Sequence, residues 1–322
     1  MFQTEWVRLV VGAVALATFF GCGGGGSQHG GTGGGGGAGS TGAGDAGGAG
    51  TGDPYLDHVV LHMHFDGADG ATTFTDVKGH PVTPYGAANL ATTPSVFGSS
   101  GAFDGASAYL TLENSDDWNF GAADFTVELF VYFKGGIPGQ TKIPTFFGLW
   151  GPSATNQSWE LLYPAMISGA PGFNDNVDGT IDLLFSSSGS DEVTPAVPWV
   201  PAADTWYHLA AVRHGGDFLY FVDGALLGVK SIAATADGVP AWTRTDPATN
   251  SGDWLPGAPV GATAAIHPNT TARLSLGVGV GAPGTVNPDS FFHGYMDEVR
   301  ITKGVARYTS AFARPTAPFP DR

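Results

Sequence analysis

The chain has 322 residues and a formal net charge of −16 at pH 7, from 13 Lys+Arg against 29 Asp+Glu. That balance excludes nucleic acid, and a membrane surface reached through charge, as partners; it favours solubility and cations. Aromatic residues at 12% with charged residues at only 13% require a large buried core, while 51 glycines and 22 prolines require many turns.

Residues 7–20 (VRLVVGAVALATFF) are an apolar run with Arg8 near its start. It is too short and too near the terminus for a membrane span and reads as a secretory signal. Gly21 and Cys22 follow, and Cys22 is the single cysteine, so no intrachain disulfide can form. The junction resembles the lipobox of bacterial lipoproteins, in which the cysteine becomes the lipidated first residue of the mature chain. It departs from that pattern at Phe19, where Leu is usual, and at Glu5 in the positive region. The resemblance implies a signal peptide over 1–21 and a lipid on Cys22; the alternative is ordinary secretion with an unmodified cysteine. Gly23 stands where an Asp would retain a lipoprotein at the inner membrane, so the expected location is the outer membrane or cell surface of a bacterial envelope.

Residues 23–52 are almost wholly Gly, Ala, Ser and Thr, too apolar-poor to offset the entropy of ordering. A flexible tether of this length has a typical reach of roughly 30 Å. The expected organisation is therefore a signal over 1–21, an anchored linker over 22–52 and a folded domain over 53–322.

Within that domain, short β-rich runs recur between Gly, Asp, Asn and Pro, and long helical periodicity is missing, so the class is all-β. Strands are predicted over 58–65, 108–112, 125–133, 144–150, 158–163, 180–186, 205–213, 218–222, 225–230 and 291–304. The run 125–133 places Phe125, Val127, Leu129, Val131 and Phe133 on one face and Thr126, Glu128, Phe130 and Tyr132 on the other. Aromatics on both faces predict a central strand. Asp223-Gly224 is a two-residue hairpin turn. Residues 187–204 and 233–271 read as long loops. In the last run, strict alternation puts Asp297, Val299 and Ile301 on the core face and Met296, Glu298, Arg300 and Thr302 on the other. A carboxylate in line with the core must be hydrogen-bonded or bind a cation.

The series LHMHFDG (61–67), FDG (103–105) with YLT (109–111), DFTVE (124–128), WYHLAAVR (206–213), FVDG (221–224) and GYMDEVRI (294–301) resembles the laminin G-like jelly rolls of the concanavalin A-like lectin/glucanase superfamily. Each motif is weak, and six in order and spacing are specific. The resemblance implies a two-sheet antiparallel jelly-roll sandwich with its first and last strands adjacent. It also implies a structural Ca²⁺ held by Asp66 and Asp297, whose oxygen ligands suit that ion. The alternative for both acids is a pair of turn-capping aspartates. Insertions around 169–178 and 233–271 depart from the compact pattern.

His62, His64 and Asp66 alternate along the first strand, so a transition-metal site is conceivable there, although no further ligand is identifiable. Asp104 reads as structural. His208, sharing parity with Trp206, Ala210 and Val212, reads as a core histidine. Trp150, Trp159, Trp199, Trp242 and Trp254 sit in or near irregular regions, where an exposed indole could stack on a sugar or a partner. No paired-carboxylate array of the glucanase type occurs, nor HExxH, GxSxG or a cysteine nucleophile, and Gly279-Val-Gly281-Ala-Pro-Gly284 opens no helix. The preferred function is a surface-displayed non-catalytic binding module for a glycan or a protein partner, touching the membrane only through an N-terminal lipid. The alternatives are a glycan hydrolase drawing on Glu128, Glu160, Asp175, Asp178 and Asp182, and a structural envelope domain.

Overall fold

The computed structural model describes residues 52–151, 156–165, 179–234, 240–244, 265–279 and 286–322, with only the backbone of 232–234 and 240–244. The chain divides into two units, 1–41 and 42–322, the first of which lies outside the described residues. In chain order the strands are β1 (Val59–Met63), β2 (Val82–Tyr85), β3 (Asn89–Ala91), β4 (Ser100–Asp104), β5 (Tyr109–Leu112), β6 (Phe125–Phe133), β7 (Thr145–Leu149) and β8 (Trp159–Leu162). They continue with β9 (Thr180–Phe185), β10 (Val197–Pro198), β11 (Trp206–His214), β12 (Asp217–Val222), β13 (Ala225–Ala234), β14 (Pro240–Arg244), β15 (Leu274–Leu276) and β16 (His293–Lys303). Among the described residues these form two antiparallel sheets, one ordered β14-β13-β12-β11-β6-β16-β4-β3 with β1 also on β16, the other β10-β9-β8-β7-β15-β5-β2. The fold is an all-β sandwich of jelly-roll type, with the first strand paired to the last. No helix among the described residues is long and apolar enough to cross a membrane.

The larger sheet supplies Phe125, Val127, Leu129, Val131 and Phe133 of β6 to the space between the sheets, opposite Leu149, Trp159, Leu161 and Leu274 of the smaller one. Each such side chain, once buried, contributes about 1.5–3 kcal/mol. β6 is central, flanked by β11 and β16, as its two aromatic faces predict. Two of the expected loops contain strands: β10 lies within 187–204 and β14 within 233–271. Both are edge strands, in which little side-chain burial is needed to hold the pairing and little apolar pattern is left to read.

The parity expected for the last strand is reversed in part. Asp297 lies opposite Phe130 of β6 and Arg300 opposite Glu128, so Glu298 and Val299 together face one residue of the neighbour. This β-bulge, with Glu298 in the left-handed region at φ 49°, resets the alternation. Met296, Val299 and Ile301 enter the core, while Asp297 falls on the outer face, away from the second sheet. In β11, whose register with β6 is unbroken, the parity is the opposite of that expected: Leu209 and Ala211 join the core, and His208, Ala210 and Val212 face outward.

That outer face is partly covered. The segment 305–322 returns across it, Tyr308 and Phe312 packing on Ala210, Val212, Leu219 and Phe221. Phe319 lies 6.2 Å from the Phe130 ring and 6.0 Å from the His208 ring, centroid to centroid. His208 is buried, as its sequence context suggests, but under this segment rather than between the sheets.

Candidate functional site

Cross-strand register organises the outer face into rows, because residues opposite one another on neighbouring strands point the same way. Trp206 of β11 lies opposite Tyr132 of β6, Tyr132 opposite Tyr295 of β16, Tyr295 opposite Ala102 of β4, and Ala102 opposite Asn89 of β3. Beyond the reach of the covering segment, Trp206, Tyr132 and Tyr295 are each only half-buried. The Trp206 and Tyr132 rings are 5.4 Å apart at 58°, and the Tyr132 and Tyr295 rings 5.6 Å apart at 81°. At the Tyr295 end the small residues Ala87, Ala91 and Ala102 leave a groove of about 290 Å³, rimmed by Asn89, Asp104, Lys134 and His293. The Trp206 indole N–H is buried without a hydrogen-bond partner. Burial, then the neighbouring Asp204 carboxylate, raise the Tyr132 phenol above its ordinary range, so it remains a neutral donor.

This row is absent from the tryptophans singled out in the sequence. Trp159 is buried in the core, its indole donating to the Trp118 carbonyl at 2.9 Å. Trp199 packs against the core beside Tyr163, and Trp150 is half-buried. The side chain of Trp242, and all of Trp254, lie outside the described residues. The alternation in β6 does put Tyr132 on the non-core face, which is the available signal. That three rings line up depends on register, which no single strand carries.

The covered part of the face holds a charge centre. Arg300 donates to Glu128 Oε1 from Nε at 2.9 Å, its Nη2 lies 2.9 Å from the same oxygen, and Tyr308 donates to Oε2 at 2.9 Å. His208 Nε2 lies 3.1 Å from Oε2. Asp53 joins through Arg300 at 3.2 Å and Arg307 at 2.6 Å. Burial alone would raise the Glu128 carboxyl; Arg300, then His208 and Arg307, more than reverse this and hold it far below the usual carboxylate range. With Glu128 wholly buried, this acid is sealed from any substrate and serves the packing of 305–322. Glu160 and Asp182, on the adjacent strands β8 and β9, are buried as well. Asp175 and Asp178 lie outside the described residues.

Asp66 and Asp297 grip one loop from its two ends. Asp297 Oδ2 accepts from the backbone N–H of Val96 at 3.2 Å and of Phe97 at 3.1 Å, and Asp66 Oδ1 accepts from Ser99 N–H at 3.1 Å. Gly98 lies so close to Asp66 that a Cβ there would meet its carboxylate oxygen at 1.9 Å. Asp66 is exposed, whereas Asp297 is buried and its Oδ1 has no hydrogen-bond partner. Burial drives the Asp297 carboxyl up to about 8 against the Phe97 N–H, with the Glu298 charge adding to the rise. A buried carboxylate oxygen lacking a partner suits a hard cation, so Asp297 fits the Ca²⁺ that the resemblance implies, whereas Asp66 is exposed and its Oδ1 is already taken by the Ser99 N–H. Asp66 does not join His62 and His64, because Phe65 takes φ 58° and turns the chain out of the strand alternation. Asp104 is structural as expected: its Oδ1 accepts from the N–H of Ala106, Ser107 and Ala108, and although burial opposes it, these bonds lower the carboxyl to about 2.

Residues 104–258, just under half of the chain, match the family model Laminin_G_3 of the concanavalin A-like lectin/glucanases superfamily. The two-sheet sandwich described above is the fold that this match leads one to expect. Among solved structures the chain is similar to the binding domain of Paraclostridial Mosquitocidal Protein 1, at 9% identity and a TM-score of 0.50, covering 79% of this chain and 51% of that one. It is also similar to domain 4 of AbnA, an extracellular arabinanase of Geobacillus stearothermophilus solved with arabinotriose, at 18% identity and a TM-score of 0.47, covering 77% and 93%. A third is the binding domain of botulinum neurotoxin serotype D, at 8% identity and a TM-score of 0.48, covering 79% and 51%. The chain spans about half the length of the toxin domains it matches, and at these identities the likeness bears on the fold alone. No curated protein matches by sequence.

Proposed function

We propose that this chain is a non-catalytic binding module that takes a carbohydrate chain along Trp206, Tyr132 and Tyr295 into the groove beside Tyr295. The observation that carries the reading is this aromatic row, half-exposed on a sheet face that the segment 305–322 covers in part. Rings set across three rigid strands offer apolar faces to the C–H faces of sugar rings, and Asn89, Lys134 and His293 at the groove offer hydrogen bonds to hydroxyls. A chain of net charge −16 repels polyanions at long range, so the favoured ligand is a neutral glycan. Asp297 would hold a structural Ca²⁺ whose charge would neutralise the buried carboxylate. Cys22 would carry the lipid, and residues 22–52 would hold the module clear of an outer bacterial surface.

The experiment is a glycan array with and without calcium, followed by titration calorimetry of the best hit against Trp206→Ala and Tyr295→Ala. Each ring contributes about 1 kcal/mol, so each substitution should weaken binding roughly fivefold without changing the fold. Binding that both variants retain in full would move the site elsewhere. A blank array with capture of an envelope protein would favour a protein partner.

A further inference from the structure

Among the described residues, His62, His64 and Glu298 bring one ligand atom each to within 4.8 Å of one another. We propose that these three side chains bind a divalent first-row transition-metal ion of the Zn²⁺ class, with Asp321 as the carboxylate that orients both imidazoles.

Local structure brings the ligands together. His62 in β1 and His64, just past the strand's end at Met63, point to the same side, their ring centroids 4.1 Å apart. The β16 bulge, with Glu298 in a conformation unusual for a residue bearing a Cβ, takes that carboxylate out of the strand alternation and sets it against both rings. Glu298 Oε1 lies 2.7 Å from His64 Nδ1 and Oε2 lies 3.5 Å from His62 Nε2. Tetrahedral Zn²⁺ with bonds of about 2.0–2.1 Å has ligand atoms roughly 3.3 Å apart, between the 2.7 and 3.5 Å that separate Glu298 from the two rings and inside the 4.8 Å that spans all three groups.

The opposite nitrogens meet one further acid. Asp321 Oδ1 lies 3.2 Å from His62 Nδ1 and 2.9 Å from His64 Nε2. Filling all four nitrogen–carboxylate contacts with protons would require two imidazolium cations whose rings are only 4.1 Å apart. An ion on the Glu298 side replaces two of those protons, leaving each ring neutral with one N–H donating to Asp321. That is the carboxylate–histidine–metal arrangement in which the outer acid fixes the tautomer. The nearby Arg300 pairs with Glu128 and Asp53, so it does not occupy the Glu298 carboxylate. His62 and Glu298 are 1% exposed and His64 18%, so water reaches the cluster from the His64 side and can supply a fourth ligand. Two imidazoles suit this class of ion, whereas Ca²⁺ prefers an all-oxygen shell such as the Asp297 loop could offer. Phe319 N–H donates to Glu298 Oε2 at 2.8 Å, so the ion would tie β1, β16 and the covering segment together.

The test is equilibrium dialysis of the full chain against Zn²⁺ with metal analysis, and Co²⁺ absorption, for the wild type, His64→Gln and Glu298→Gln. One ion per chain beyond what either variant binds is expected, undisplaced by excess Ca²⁺, with a rise in Tm of about 5–10 °C at hundredfold excess over Kd. Imidazole ¹H–¹⁵N spectra of the wild type keep the test independent of the variants' folding. With Zn²⁺, two histidines should take opposite tautomers, one bound through Nε2 and the other through Nδ1. Equal Zn²⁺ uptake by all three proteins, or wild-type histidine spectra unchanged by saturating Zn²⁺, would overturn the proposal.

Discussion

Replacing Glu128 by Gln tests how the outer face is held together. The carboxylate is wholly buried, and its loss would leave Arg300 with Asp53 as its remaining acidic partner, while His208 and Tyr308 lose a charged acceptor. Removing one member of a buried, hydrogen-bonded ion pair costs about 3–5 kcal/mol, most of it the uncompensated partner charge. For a domain of this size that is a fall in Tm of roughly 6–20 °C. The sign of the pH effect follows from the depressed carboxyl. Below its usual 4.5 the unfolded chain takes up a proton before the folded one does, so the stabilisation is complete above that pH and is lost as pH falls toward the folded value. Urea melts from pH 7 to pH 3 on the wild type and Glu128→Gln should therefore converge in acid. Adding Arg300→Met should restore part of the loss, because the double variant buries no orphan charge. A Glu128→Gln protein within about 1 kcal/mol of wild type at pH 7 would refute the account, since that is what an exposed pair is worth.

Truncating Phe319 to Ala should cost about 3–5 kcal/mol in a urea melt, because it is buried against Phe130, His208 and the Arg300 guanidinium, 3.8 Å from its ring. If Ca²⁺ binds at Asp297, hundredfold excess over Kd should add about 2.7 kcal/mol and raise Tm by about 5–11 °C, a response that Mg²⁺ does not match and Asp297→Asn removes. Identical wild-type melts in EDTA and in calcium would leave Asp297 as a hydrogen-bonded loop anchor only. Radiolabelled palmitate should enter the wild type and not Cys22→Ser, and the variant should leave the membrane fraction. Reducing-sugar release from β-glucans, galactans or xylans is expected to stay at the level of a denatured control; turnover above it would favour the hydrolase reading.

The sequence by itself determined the all-β class, the central position of β6, the Asp223-Gly224 hairpin and the structural role of Asp104. These follow from alternation, turn chemistry and local hydrogen bonds, and the information lies within a few residues of where it acts. Direct pairing of β1 with β16 was legible only through the order of motifs, because residues some 240 positions apart meet there. Alternation could not reveal where it is broken. One extra residue at Glu298 moves Asp297 off the core face, and a left-handed Phe65 separates Asp66 from His62 and His64. Nor could it locate the aromatic row, since Trp206, Tyr132 and Tyr295 lie in three strands whose register is settled by the packing of the whole sheet. Only the tertiary structure decided which part of the outer face stays open, by laying 305–322 over the Glu128 centre and leaving those rings uncovered. The apolar residues of that segment have no strand period to read, and what they bury is fixed by surfaces that exist only after the sheet has formed.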